Sequence, residues 1–166
     1  MSAPAPTLHQ EIAGDMRRDD FTFVHQLRVR WAEVDRQDVV FNGHYFLYFD
    51  IAITEYWRAL GFAYPNDIAH RFGSDLYAVK ATAEYHGSAL YDDIIDVCCR
   101  TARFGRSSMQ CVLGIYRGEE HLTSGELVYV NADPKTRKSA PWPEEFMQAV
   151  FALERLAPET ASGTPR

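Results

Sequence analysis

The sequence predicts an α+β domain in which one long central helix is wrapped by a curved antiparallel sheet, with a second helix near the C-terminus. Three observations predict it. Residues 45–60 are apolar on almost every side, with Asp50, Thr54, Glu55 and Arg58 as the clearly polar exceptions, and a helix with so little polar face needs covering. The second half of the chain carries four β-like runs, three of them separated by gaps short enough for hairpins. The whole is 166 residues long, a size that one domain with a substantial core can accommodate.

Taken in order, residues 1–20 mix Pro, Ala and charged residues without a sustained period and read as a mobile arm. Residues 21–33 alternate, with Phe21, Phe23, Leu27, Val29 and Trp31 favouring one face, which is the period of a half-buried strand. From 34 to 43, polar turn formers surround Val39, Val40 and Phe41, so the chain turns and presents the start of the long helix with Asn42 or Gly43 as N-cap. That helix would span roughly 24 Å at about 1.5 Å per residue. It would stop at Gly61, where glycine can take the left-handed conformation. Residues 62–75 form an irregular connection with room for a short helix.

The β-like runs are 76–85, 93–104, 107–117 and 121–132, and the last three most simply form an antiparallel meander. Residues 144–156 place Phe146, Val150, Leu153 and Leu156 along one side of a helix. Pro, Ser, Thr and Gly dominate 157–166, which reads as a disordered tail, leaving one domain over 21–156.

Composition narrows the function. A hydrophobic fraction of 46% and an aromatic fraction of 13% argue for a packed core. No run approaches the ~18 apolar residues of a membrane span, and residues 1–20 lack a secretory pattern. The expectation is a soluble cytoplasmic protein with no membrane partner. Cys98, Cys99 and Cys111 are odd in number and lack metal-ligand spacing, so neither a disulfide framework nor a metal site is expected. A net charge of −6 disfavours nucleic acid as a partner. A polyanionic ligand would need a local basic pocket.

Two stretches carry a resemblance. DRQDVVFNGHYFLYFD, residues 35–50, resembles the signature of the 4-hydroxybenzoyl-CoA thioesterase and YbgC-like acyl-CoA thioesterases, and AEYHGSALYDD, residues 83–93, resembles the same family's strand ending in Y-D-D. The resemblance implies a hotdog fold and an acyl-CoA thioesterase, a thioester hydrolase that needs no cofactor because coenzyme A belongs to the substrate. It implies Asp35 as the catalytic carboxylate, Asp50 as the acid of the helix, and Tyr91, Asp92 and Asp93 as the Y-D-D turn. It also implies self-association into a homodimer or homotetramer with sites at subunit junctions. The sequence departs from the pattern at Asp38, where the family has glycine, and at Gly43-His44 before Tyr45.

Thioester hydrolysis needs a group that attacks or activates water, and donors aimed at the carbonyl oxygen. Asp35 could serve as nucleophile or as general base. The unpaired amides of the helix start, around Asn42, Gly43 and Tyr45, could supply the donors, and His44 could carry a proton. For the phosphates of coenzyme A, the candidates are Arg103, Arg106, Ser107 and Ser108 in RTARFGRSS, since arginine forks and serine hydroxyls suit phosphate oxygens. Plainer readings stand beside these. Asp35 can be a turn residue, His44 a solvent-facing cap, and a basic hairpin tip merely solvated. The rival functions are a noncatalytic acyl-CoA or lipid-binding hotdog module and a hydroxyacyl-thioester dehydratase, whose His-rich signature GHYFLYFD does not match.

Overall fold

Helix α1 (His44–Ala59) is the axis of the fold, and its residue spacing decides which side is covered. Tyr45, Tyr48, Phe49, Ala52, Ile53, Tyr56 and Trp57 are buried, recurring every third or fourth position as one face of a helix must. A computed structural model describes residues 16–161 of the chain. Within it, α1 packs on a sheet of β1 (Phe23–Arg28), β2 (Asp75–Tyr85), β3 (Ile94–Phe104), β4 (Ser108–Arg117) and β5 (Glu120–Ala132). Strands β3, β4 and β5 form the predicted antiparallel meander, and β1 and β2 flank it in the order β1-β3-β4-β5-β2. Helix α2 (Glu144–Leu153) and the short β6 (Glu159–Thr160) complete the chain.

Inward side chains of the meander, among them Val97, Cys99, Met109, Leu113, Ile115 and Leu127, meet the α1 face in one core. The helix lies close: a Cβ on Gly125 of β5 would sit 2.4 Å from the Phe49 ring. The three cysteines are buried free thiols.

Wrapping is less complete than the apolar helix suggests. Phe46, Leu47 and Ile51 remain 37%, 54% and 37% exposed, because the sheet embraces one side of the cylinder only. Asp50 and Arg58 are exposed, and Arg58 pairs with Glu55 rather than with Asp50.

The first strand is shorter than its alternation predicts. β1 ends at Arg28 and residues Trp31–Glu33 form a 3-10 turn, closed by the Arg30 N–H donating to the Glu33 carboxylate at 2.8 Å. Trp31 is thereby turned out, 75% exposed. Phe21, expected on the inner face, precedes the strand and packs on the opposite side of the sheet with Cys98, Ala102, Val112 and Tyr116.

The tail also differs. Glu159 and Thr160 pair in parallel with Arg103 and Phe104, along a stretch of β3 that β1 does not reach, so disorder does not extend over 157–161. Helix α2 stops at Leu153 rather than 156, and Leu156 is exposed. Of the expected arm, Arg18–Asp20 form a 3-10 turn held by Arg18 on Asp96 at 2.7 Å. Residues 1–15 and 162–166 lie outside the described residues.

Candidate active site

The site grows from the loop between the first 3-10 turn and α1. Val34 bridges Val40 across the loop, and Phe41 N–H donates to the Glu33 carbonyl at 2.9 Å, so residues 33–41 form a small closed hairpin. Asp35 stands at its turn. Its N–H donates to Val39 O (2.9 Å), its carbonyl accepts from Asp38 N–H (3.0 Å), and its Oδ1 accepts from Gln37 N–H (2.7 Å). Oδ2 accepts no hydrogen bond among the described residues. Asp38 takes the left-handed conformation, with φ at 61°. The departure from glycine therefore keeps the turn, because aspartate is among the few L-residues that tolerate this region.

Asp35, Val39, Val40, Phe41, Asn42 and Tyr45 line one wall of a cleft of about 370 Å³, faced by Tyr85, Gly87 and Ser88. The helix start forms the end of this wall. N-cap Gly43 receives no side-chain cap, and the amides of Asn42, Gly43 and Tyr45 have no hydrogen-bond partner among the described residues, whereas His44 N–H is taken by Phe41 O at 2.9 Å. A Cβ on Gly43 would come within 2.8 Å of the Phe41 ring, so glycine lets that ring lie beside the helix end.

Two tyrosines stiffen the wall. Tyr85 Oη donates to Asn42 O at 2.9 Å, and Tyr45 Oη accepts Ala89 N–H at 2.9 Å. Burial raises the Tyr45 hydroxyl pKa, more than the Ala89 amide lowers it, so it keeps its proton and can donate. The predicted site residues Asp35, Asn42 and Tyr45 are thus brought together. His44 sits beside them without lining the cleft, its ring edge-on to Phe41 at 5.9 Å.

The basic hairpin lies elsewhere. Arg103 and Ser108 line a shallow cleft with Lys80, Gln110 and Glu126, while Arg106 lines a second one against Trp142. Ser107 marks the turn, its carbonyl accepting Asn131 N–H at 2.8 Å. The Asp35 loop meets the β2–β3 connection, which leads into the opposite end of β3, through Val40 N–H on Ala89 O at 2.9 Å. Eleven residues of β3 separate the two ends, about 36 Å at roughly 3.3 Å per residue. Asp92 and Asp93 are turn residues: Asp92 has φ at 68°, and Asp93 accepts Leu90 N–H at 2.8 Å.

One carboxylate escaped the sequence reading. Glu33 is 4% exposed, and its Oε2 accepts Tyr48 Oη at 2.8 Å while Oε1 takes Arg30 Nε at 2.8 Å. Burial would raise its pKa, but the bonds from Arg30 and Tyr48 outweigh this and hold it below the usual glutamate range. The local signal is Arg30 three residues before it, and the Tyr48 partner that buries it is visible only in the fold.

The family model described as Thioesterase superfamily matches residues 37–124. The chain belongs to the thioesterase superfamily. Asp35 lies two residues ahead of that match. A curated relative, the "Putative esterase" of Aquifex aeolicus (strain VF5), is 33% identical over 75 residues, covering 45% of this chain, and the chain spans 57% of that relative's length. The fold is also that of the 1,4-dihydroxy-2-naphthoyl-CoA thioesterase of Synechocystis, with a TM-score of 0.71 and 19% identity over 77% of this chain and 94% of that one. A thioesterase from Thermus thermophilus, solved with coenzyme A and Zn, gives 0.71 and 23% over 82% and 96%. At such identities these structures establish the hotdog fold for this superfamily member. Among the described residues no helix is long and apolar enough to cross a membrane.

Proposed function

We propose that this chain hydrolyses an acyl-CoA thioester to the free acid and coenzyme A in the cleft that Asp35 and the start of α1 enclose. The observation that carries the reading is the meeting, at one cleft, of a carboxylate with one oxygen that has no partner among the described residues and the helix-start amides of Asn42, Gly43 and Tyr45, likewise unpaired among them. The amides, at the positive end of the helix, would receive the carbonyl oxygen as negative charge develops on it. Asp35 either takes a proton from a water that attacks the carbonyl carbon, or attacks it directly to give an anhydride that water then opens. In both routes the carbon–sulfur bond breaks and sulfur leaves as the thiolate, to be protonated from solvent. Coenzyme A enters as part of the substrate, and His44 is given no step.

Phe41, Tyr45 and Tyr85 give the cleft aromatic walls, which favours a flat aryl or short acyl group over a long chain. The reading places the protein in the cytoplasm, where its three free thiols stay reduced.

Self-association belongs to the same reading. β2 is an edge strand, Val79 on it is 60% exposed, and Phe46, Leu47 and Ile51 leave an apolar strip on α1. Such an edge invites pairing. If two copies join β2 to β2 antiparallel, the end of one sheet carrying Arg103, Arg106, Ser107 and Ser108 comes beside the Asp35 end of the other. Phosphate contacts that are out of reach within one chain would then come from the second.

The test is thiol release from a panel of aryl, short, branched, medium and long acyl-CoAs, with binding of a nonhydrolysable thioether analogue measured alongside. Turnover of one acyl class supports the reading. Binding of the analogue without thiol release from any substrate would replace it with a noncatalytic binding module.

A further inference from the structure

We infer that Glu33 is a positioning residue that locks the Asp35 loop and the first turns of α1 into one unit. The inference rests on the reading of this cleft as the thioester site. Glu33 accepts five hydrogen bonds at one buried position. Its Oε1 accepts Arg30 Nε at 2.8 Å and Nη2 at 2.5 Å. Its Oε2 accepts the Arg30 backbone N–H at 2.8 Å and Tyr48 Oη at 2.8 Å, and its carbonyl accepts Phe41 N–H at 2.9 Å.

These bonds tie three parts of the site. The Arg30 bonds hold the 3-10 turn that aims the chain toward Asp35. The Phe41 bond closes the loop at its far side, one residue before Asn42. The Tyr48 bond reaches α1 three residues beyond Tyr45, one turn along the same buried face. The attacking group and the amide donors are therefore referred to a single glutamate, two residues from one and joined through Phe41 and Tyr48 to the other. Geometry of this kind matters because a displacement of about 1 Å can cost a reaction on the order of a hundredfold.

A neutral isostere separates positioning from mere stability. Glu33→Gln retains an acceptor for Tyr48 but loses the charge that holds Arg30. It is expected to lower kcat about tenfold or more with KM changed less than about threefold, because loop placement and not substrate affinity is disturbed. Tyr48→Phe, which removes one tie of the five, is expected to show a smaller loss of the same kind. The second readout is amide hydrogen exchange in the full chain, without substrate. In Glu33→Gln the amides of Asp35, Val40 and Phe41 should exchange about tenfold faster or more, while those of Cys111 and Leu113 in β4 stay as in wild type.

Unchanged kcat, or loop amides as protected as before, overturns the inference. A fall in kcat that tracks only the folded fraction does the same. A wild-type protein that releases no thiol from any thioester defeats the thioesterase reading instead, and exchange alone then decides whether Glu33 holds the loop.

Discussion

Two buried glutamates grip the same helix and behave in opposite ways. Glu33 holds Tyr48 near the start of α1, and Glu154, just past α2, holds Tyr56 eight residues further on, with its Oε1 2.5 Å from that hydroxyl and 3.0 Å from Thr101 N–H. Both are under a tenth exposed. Glu33 has an arginine bound to it and both oxygens satisfied. Glu154 has a buried Oε2 without a partner among the described residues, and the nearby Arg100 Nε is likewise unpaired. Burial raises the pKa of Glu154 beyond what Tyr56 and Thr101 can offset, whereas Glu33 is held below its ordinary value. Burial alone does not fix a carboxylate's charge; the donors around it do. The site end of the helix is anchored by a carboxylate whose donors favour its charged form, the far end by one whose burial favours the protonated form.

Removing each anchor breaks the comparison most strongly. Glu33→Ala leaves the Tyr48 hydroxyl buried without its acceptor and discards charge-assisted bonds, and is expected to cost about 2–3 kcal/mol in urea unfolding at pH 7. Glu154→Ala strands Tyr56 and Thr101 but also relieves a poorly solvated carboxylate, so its cost should be smaller, about 1 kcal/mol.

The pH dependence sharpens it. Glu33 has a lowered pKa, so its contribution is present above the ordinary glutamate range and is lost as pH falls through its folded value. The Tm deficit of Glu33→Gln should therefore be full at pH 7 and close in acid, as pH falls below the ordinary glutamate range. Glu154 has a raised pKa, so its stability is full below the ordinary range and falls as pH rises through its folded value. Glu154→Gln should accordingly gain on wild type at pH 7, by about 1 kcal/mol, and lose that advantage as pH falls toward the ordinary glutamate range. Parallel Tm curves for wild type and both variants read the two signs directly.

The smallest effects belong to the departures from the family pattern. Asp38→Gly trades a tolerated left-handed aspartate for a freer backbone, and stability should move by about 0.5 kcal/mol or less, with turnover within about twofold. His44→Asn should leave turnover within the same range, since its ring packs on Phe41 outside the cleft. A tenfold loss in either variant would put that position into the chemistry.

Much of this was legible from the residues. The apolar spacing of α1, the hairpin gaps of the meander and the placement of Asp35 before a helix start needed only local patterns. What hid was set by distant partners. Trp31 continues the alternation of β1, yet the Arg30–Glu33 bonds turn it outward. Glu33 and Glu154 read as surface acids until Tyr48 and Tyr56 are seen opposite them. β6 forms because β1 leaves the end of β3 uncovered, which no property of Glu159 or Thr160 announces. The separation between Arg106 and Asp35 likewise needs the strand register, since both simply flank apolar runs in the sequence.

The most direct measurement is the turnover of Asp35→Asn on whichever acyl-CoA the wild type prefers, with Tm and thioether-analogue binding recorded on the same preparation. A loss of about a hundredfold or more in kcat, with fold and binding intact, is the predicted result. Retention of kcat within about tenfold of wild type would contradict the placement of the chemistry at Asp35.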